Sequence, residues 1–129
     1  MLNKRIVGIN IVLALISCLV LTSCDSMMVG AVGSNGPNHT TESYHYLNGT
    51  KTVGISAGAG KMIDVTYTST VESGALSLQI LDPSKNLAAQ LTSGTSGTTE
   101  ISAGGGGIYQ LVITGTKTEG SYNISWAVK

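Results

Sequence analysis

From Tyr44 onward apolar and polar residues alternate with a period of two. A chain that keeps this period can bury one face of a strand but not one face of a helix. In "KMIDVTYTSTV" Ile63, Val65 and Tyr67 share one face, and Asp64, Thr66 and Thr68 the other. Leu76, Leu78 and Ile80 repeat the pattern, as do Tyr109, Leu111 and Ile113, and then Tyr122, Ile124, Trp126 and Val128. Weaker candidates carry Val53 and Ile55, Leu87 to Thr92, and Ile101. The segments between them, "SAGAGK", "ESG", "DPSKN", "SGTSG", "GGGG" and "GTKTEG", consist of residues that tolerate turn dihedrals. Short strands joined by tight turns predict an all-β, antiparallel β-sandwich, jelly-roll-like, of about seven to eight strands.

Composition supports this reading where it bears on packing. The chain has no Phe and is rich in Val, Ile, Thr, Ser and Gly, which disfavours a helical bundle. With 129 residues and only 11% charged, it fits a single small domain. The only arginine is Arg5 and no basic stripe is present, so nucleic acid is excluded as a partner class.

The run "ISAGGGGIYQ", with Gly104 to Gly107, invites comparison with a phosphate-cradling loop. Such a loop leads into a helix, usually with Lys and Ser or Thr following. Here an alternating strand follows and no Lys appears until Lys117. The run therefore predicts a turn that permits positive φ and makes an antiparallel connection between the strands carrying Ile101 and Tyr109.

The chain opens "MLNKRIVGINIVLALISCLVLTSC", where Lys4 and Arg5 precede an apolar run from Ile6 to Leu21. That is the layout of a secretory signal. Its end, Leu21-Thr22-Ser23-Cys24, resembles the lipobox of bacterial lipoproteins, which implies diacylglycerol on the Cys24 thiol. A thiol is the side chain nucleophilic enough to take a lipid there. The alternatives are a signal cut by the general peptidase and a membrane-spanning anchor that happens to end in cysteine. The lipobox reading divides the chain into a signal peptide over 1–23, a lipidated cysteine with a flexible tether over 24–43, and the β-sandwich over 44–129. It places the protein on the extracytoplasmic face of the cell membrane, held there by its acyl chains. Within 24–43, Met27, Met28, Val29 and Val32 are the apolar exceptions, and a first edge strand is the competing expectation.

Catalysis needs convergent groups with tuned protonation, and the sequence offers few. His39 and His45 have neither a helical register nor a cysteine partner, so they read as surface histidines and no metal is expected. The carboxylates are dispersed over strand faces and turns. Asp82 before Pro83 is explained locally, its side chain bonding backbone amides two residues on. "GTSG" around Ser96 lacks the spacing and the following helix of a nucleophile elbow. Tyr67, Tyr109, Tyr122 and Trp126 alternate with polar residues and belong to the core, which leaves Tyr44 and Tyr46 as candidate exposed contacts. No enzyme and no cofactor are expected.

"LSLQILDPSKN" from Leu76 to Asn86, and Gly107-Ile108-Tyr109 followed by "QLVITG", resemble the Asp-Pro turn and Gly-x-Tyr strand of small sandwich modules. These are the bacterial pre-peptidase C-terminal domains and Golgi-dynamics domains. "GSYNISW", Gly120 to Trp126, is similar to the final strand of small lipoproteins of Firmicutes. The resemblance implies a non-catalytic accessory or binding module and assigns no functional residue. The resulting expectation is a lipid-anchored envelope protein that binds another envelope protein or a glycan. A structural or stress-related envelope lipoprotein without a specific site is the competing class.

Overall fold

The computed structural model describes residues 27–129; Cys24 and the stretch read as a signal peptide lie outside them. Seven strands follow in order: β1 (Met27–Val29), β2 (Val32–Gly36), β3 (His39–Ala57), β4 (Met62–Leu81), β5 (Leu87–Leu91), β6 (Ser96–Ser102) and β7 (Gly107–Val128). Every pairing is antiparallel, as the alternation and short turns require. β7 is central, with β3 along one side and β4 along the other. β1 and β2 line the far edge of β3, and β5 and β6 the far edge of β4.

β3, β4 and β7 run for 19, 20 and 22 residues, well beyond an ordinary strand. They achieve this by turning a common corner. The register shifts at Tyr44, Leu47 and Gly49 in β3 and between Val71 and Ala75 in β4. In β7 the same belt holds Lys117 at φ 45° and Gly120 at φ 153°. Each strand also changes the parity of its inward side chains there. In β3, Thr40 and Tyr44 give way to Leu47, Ile55 and Ala57. In β4, Ile63, Val65 and Ser69 give way to Leu76, Leu78 and Ile80. In β7, Tyr109, Leu111 and Ile113 give way to Thr118, Tyr122, Ile124 and Trp126. An unpaired residue bends a strand and flips its alternation, so the inner faces on both sides of the corner meet in one core.

"ESG" and "GTKTEG" therefore lie within continuous strands at this corner and do not separate strands, because their glycines admit the bend while hydrogen bonding resumes beyond it. The expected tether over 24–43 is likewise corrected from Met27 onward. β1 pairs Met27–Val29 with Asn48–Tyr46, and β2 pairs Val32–Gly36 with Ser43–His39 through a two-residue turn at Pro37–Asn38. A backbone of Gly, Ser and Asn carries no period, yet its amides and carbonyls satisfy the edge of β3 as well as any others would.

The glycine run forms a turn, with Gly104 at φ 39° and Gly106 at φ 75°. It joins β6 to β7, which are not paired with each other, so the expected antiparallel connection is corrected: both strands pair with β4, and the turn does not close a hairpin. Gly60 N donates to Gly104 O at 2.8 Å and ties this turn to the β3–β4 loop.

The Asp82 turn behaves as expected: Oδ1 accepts from the amides of Ser84 and Asn86, each at 2.9 Å. It holds Lys85 at φ 70°, a conformation that costs a side-chain-bearing residue about 1–2 kcal/mol. Lys85→Gly is therefore expected to stabilise the domain by up to about 1 kcal/mol, the relief exceeding the entropy glycine adds to the unfolded chain. Urea unfolding of the two proteins checks this; a lower midpoint for the glycine variant contradicts it.

Candidate functional site

Of the residues singled out from the sequence, Cys24 lies outside the described residues. Tyr44 is not an exposed contact. It is 2% exposed and packs against Tyr122, with ring centroids 6.1 Å apart and planes tilted by 47°. The reason is the corner: Tyr44 is the last residue of β3 with even parity inward, and Leu47 takes the inward role next. Tyr46, two residues on, is half-buried on the outward side and pairs in register with Val29.

Behind Tyr44 and Tyr122 lies a small buried polar cluster that also includes Thr40 and Thr118. The hydroxyls of Tyr44, Tyr122 and Thr118 have no aligned hydrogen-bond partner among the described residues. Burial, and after it the Glu42 carboxylate, push the Tyr122 phenol up to about 12, against the Thr40 hydroxyl. Burial also raises Tyr44, opposed by the Thr118 hydroxyl and aided by Tyr122. Both phenols are thus neutral at physiological pH and supply no phenolate nucleophile or base.

Ionic groups are arranged in local pairs. Lys51 Nζ donates to Glu42 at 2.9 Å, joining the two arms of β3. His45 Nδ1 lies 3.3 Å from Glu119 across the corner. Asp64 and Glu100 face each other across β4 and β6, where Lys129 Nζ sits 2.7 Å from Asp64. Asp64, with a smaller contribution from Glu100, raises the Lys129 amine. Among the described residues no three His, Cys, Asp or Glu side chains cluster as metal ligands.

A continuous polar surface runs across the outward face of β3, β7, β4 and β6. Pairing in register places Thr41, Asn123, Thr68 and Ser96 in one row across these strands. His39, Ser125, Thr66 and Thr98 form the next. Thr41 Oγ1 donates to Asn123 Oδ1 at 3.1 Å, and the Thr68 and Ser96 hydroxyls are 2.8 Å apart. At the β7–β4–β6 end the surface dips into a shallow groove of about 440 Å³, lined by Thr66, Thr68, Ser96, Thr98, Asn123 and Ser125 and reaching Tyr67. More of its surface is apolar than polar, and neutral hydroxyl and amide groups line it. The twisted sheet repeats them about 4.8 Å apart between strands and roughly 7 Å apart along them. From sequence this face read only as the polar side of amphipathic strands. Its signal was the Thr at every second position in "VTYTST", and recognising it as a row required the strand order.

No family model and no curated protein matches the chain. Among solved structures its fold is similar to that of PliG, a periplasmic lysozyme inhibitor of g-type lysozyme from Aeromonas hydrophila. The two are 14% identical over 76% of this chain and 89% of the inhibitor, with a TM-score of 0.48. It is also similar to the enzymatically active domain of tailspike protein 4 from bacteriophage CBA120, at 13% identity, over 82% of this chain and 20% of that one, TM-score 0.41. A cupin domain from Bordetella pertussis Tohama I matches at 15% identity, over 78% and 97% of the two chains, TM-score 0.34. The likeness is to all-β domains and extends to fold alone.

Proposed function

We propose that the protein is a lipid-anchored, non-catalytic binding module of the cell envelope whose ligand is a neutral glycan strand. The observation that carries this reading is the hydroxyl and amide grid around Thr66, Thr98, Asn123 and Ser125. Such groups can donate to and accept from sugar hydroxyls, and the sheet holds them without loop entropy to lose on binding. Because the groove has no charged lining residue, attraction comes from hydrogen bonding and surface fit and is insensitive to salt. Cys24, as the acylated residue, would keep the module at the membrane surface.

Triple replacement Thr66→Val, Thr98→Val and Ser125→Ala keeps strand propensity and removes three hydroxyls. At about 1 kcal/mol net for each lost hydrogen bond, binding to protein-free envelope glycan is expected to weaken by at least about tenfold, while added salt leaves it unchanged. Co-sedimentation of the full chain with purified glycan measures both. Equal binding by both proteins, or retention only by protein-containing envelope extracts, contradicts the glycan reading. A Tyr44→Ala variant does not test contact, because it opens a cavity in the core.

A further inference from the structure

We infer that the edge formed by β1 and the start of β2 lies against the phospholipid surface and fixes the orientation of the domain on the membrane. The inference rests on the anchoring of Cys24 proposed above.

The apolar side chains at this edge are not accounted for by the core. Met28 packs inward, as its pairing with Leu47 requires. Its neighbours Met27 and Val29 are 54% and 50% exposed, and Val32 is 76% exposed. A strand that served only to cover the edge of β3 would gain nothing from apolar residues at these outward positions. Tyr46 pairs with Val29, so an amphipathic ring joins the same outward side; such rings favour the level of lipid headgroups. The other large exposed apolar residues among the described residues, Leu87, Ile108 and Val128, are dispersed over β5 and the two ends of β7.

The length of chain before β1 selects the occupant. Only Asp25 and Ser26 separate Cys24 from Met27. A fully extended chain advances at most about 3.6 Å per residue, so Met27 is within roughly 11 Å of an acylated Cys24. A domain tied this closely cannot keep the β1 edge away from the bilayer, and apolar side chains presented there enter the interface between headgroups and acyl chains. The groove lies on β7, β4 and β6, separated from the β1 edge by β3. Contact through β1 therefore leaves the groove end of the hydroxyl grid away from the bilayer, where an envelope glycan can reach it.

The test uses the full-length chain, acylated in cells and placed in phospholipid nanodiscs at one chain per disc, which removes contact with a second copy. Cysteine is introduced singly as Val29→Cys, Val32→Cys or, in the exposed turn after β4, Ser84→Cys, and coupled to an environment-sensitive fluorophore. The expected result is a blue-shifted emission at positions 29 and 32, quenched by lipids with brominated acyl chains, and neither effect at position 84. Water-like emission at 29 and 32 in a palmitate-labelled chain overturns the membrane-facing edge while the anchor stands. Equal shifts at all three positions also overturn it, since the domain then has no fixed face toward the lipid. A chain without palmitate overturns both the edge and the anchor on which it rests.

Discussion

Gly120→Ala is expected to destabilise the domain by more than about 4 kcal/mol. Gly120 stands at the corner of β7 with φ 153°, paired with Tyr44 on one side and Val71 on the other. A Cβ built there overlaps the carbonyl oxygen of Thr70 and lies 2.9 Å from its carbon. The obstacle is backbone in a paired strand, so no side-chain rotation relieves it. Moving β4 away would break the register on both sides of the corner. Positive φ alone costs a residue with a side chain about 1–3 kcal/mol. With the overlap added, the loss exceeds about 4 kcal/mol, a large part of the roughly 5–15 kcal/mol that stabilises a typical domain. Gly94 provides the comparison: its φ is 74°, but a Cβ there meets nothing within 4 Å. Gly94→Ala should cost only about 1 kcal/mol and remain folded. Far-UV circular dichroism and urea titration of both variants decide the matter, and a Gly120→Ala protein with a midpoint close to wild type contradicts the account of the corner.

That corner also explains how the sequence could be read correctly in class and wrongly in connection. Alternation at Ile63, Val65 and Leu76, Leu78, Ile80 located strands and inward faces, and these residues are buried. The parity change between Val65 and Leu76 was equally visible, but a turn and a bulge both produce one, and glycine suits either. Only hydrogen bonding across β7 shows that the chain continues as one strand. The tally of strands agrees because two such joins are offset by β1 and β2, which carry no period. Those two strands pair an edge through backbone groups, and backbone pairing leaves little trace in side-chain order. Tyr44 was misplaced for the same reason. With the start of β3 taken as tether, its partner Tyr122 and its neighbour Thr118 had no reason to approach it. The hydroxyl grid was legible residue by residue but not as a surface, since its rows run across strands distant in sequence.

Cys24→Ser is expected to remove all incorporation of labelled palmitate and to leave a chain that retains its first 23 residues. The lipobox reading makes the thiol both the acceptor of the diacylglycerol and the condition for the cut that follows, so one substitution blocks acylation and processing together. The two competing readings give different patterns. A general peptidase leaves processing unchanged in the serine variant and palmitate absent from both proteins. An uncleaved anchor shows no processing in either. Membrane sedimentation alone does not separate these cases, because the apolar run from Ile6 to Leu21 can hold an unprocessed chain in the bilayer. Intact mass together with palmitate labelling does. The result also governs the domain: each acyl methylene contributes about 0.8 kcal/mol when buried, so two or three chains hold the protein at the surface essentially permanently. With Met27 already paired to Asn48, little slack remains between that anchor and β1. Loss of the acyl group would therefore change the orientation of the β1 edge as well as the attachment of the chain.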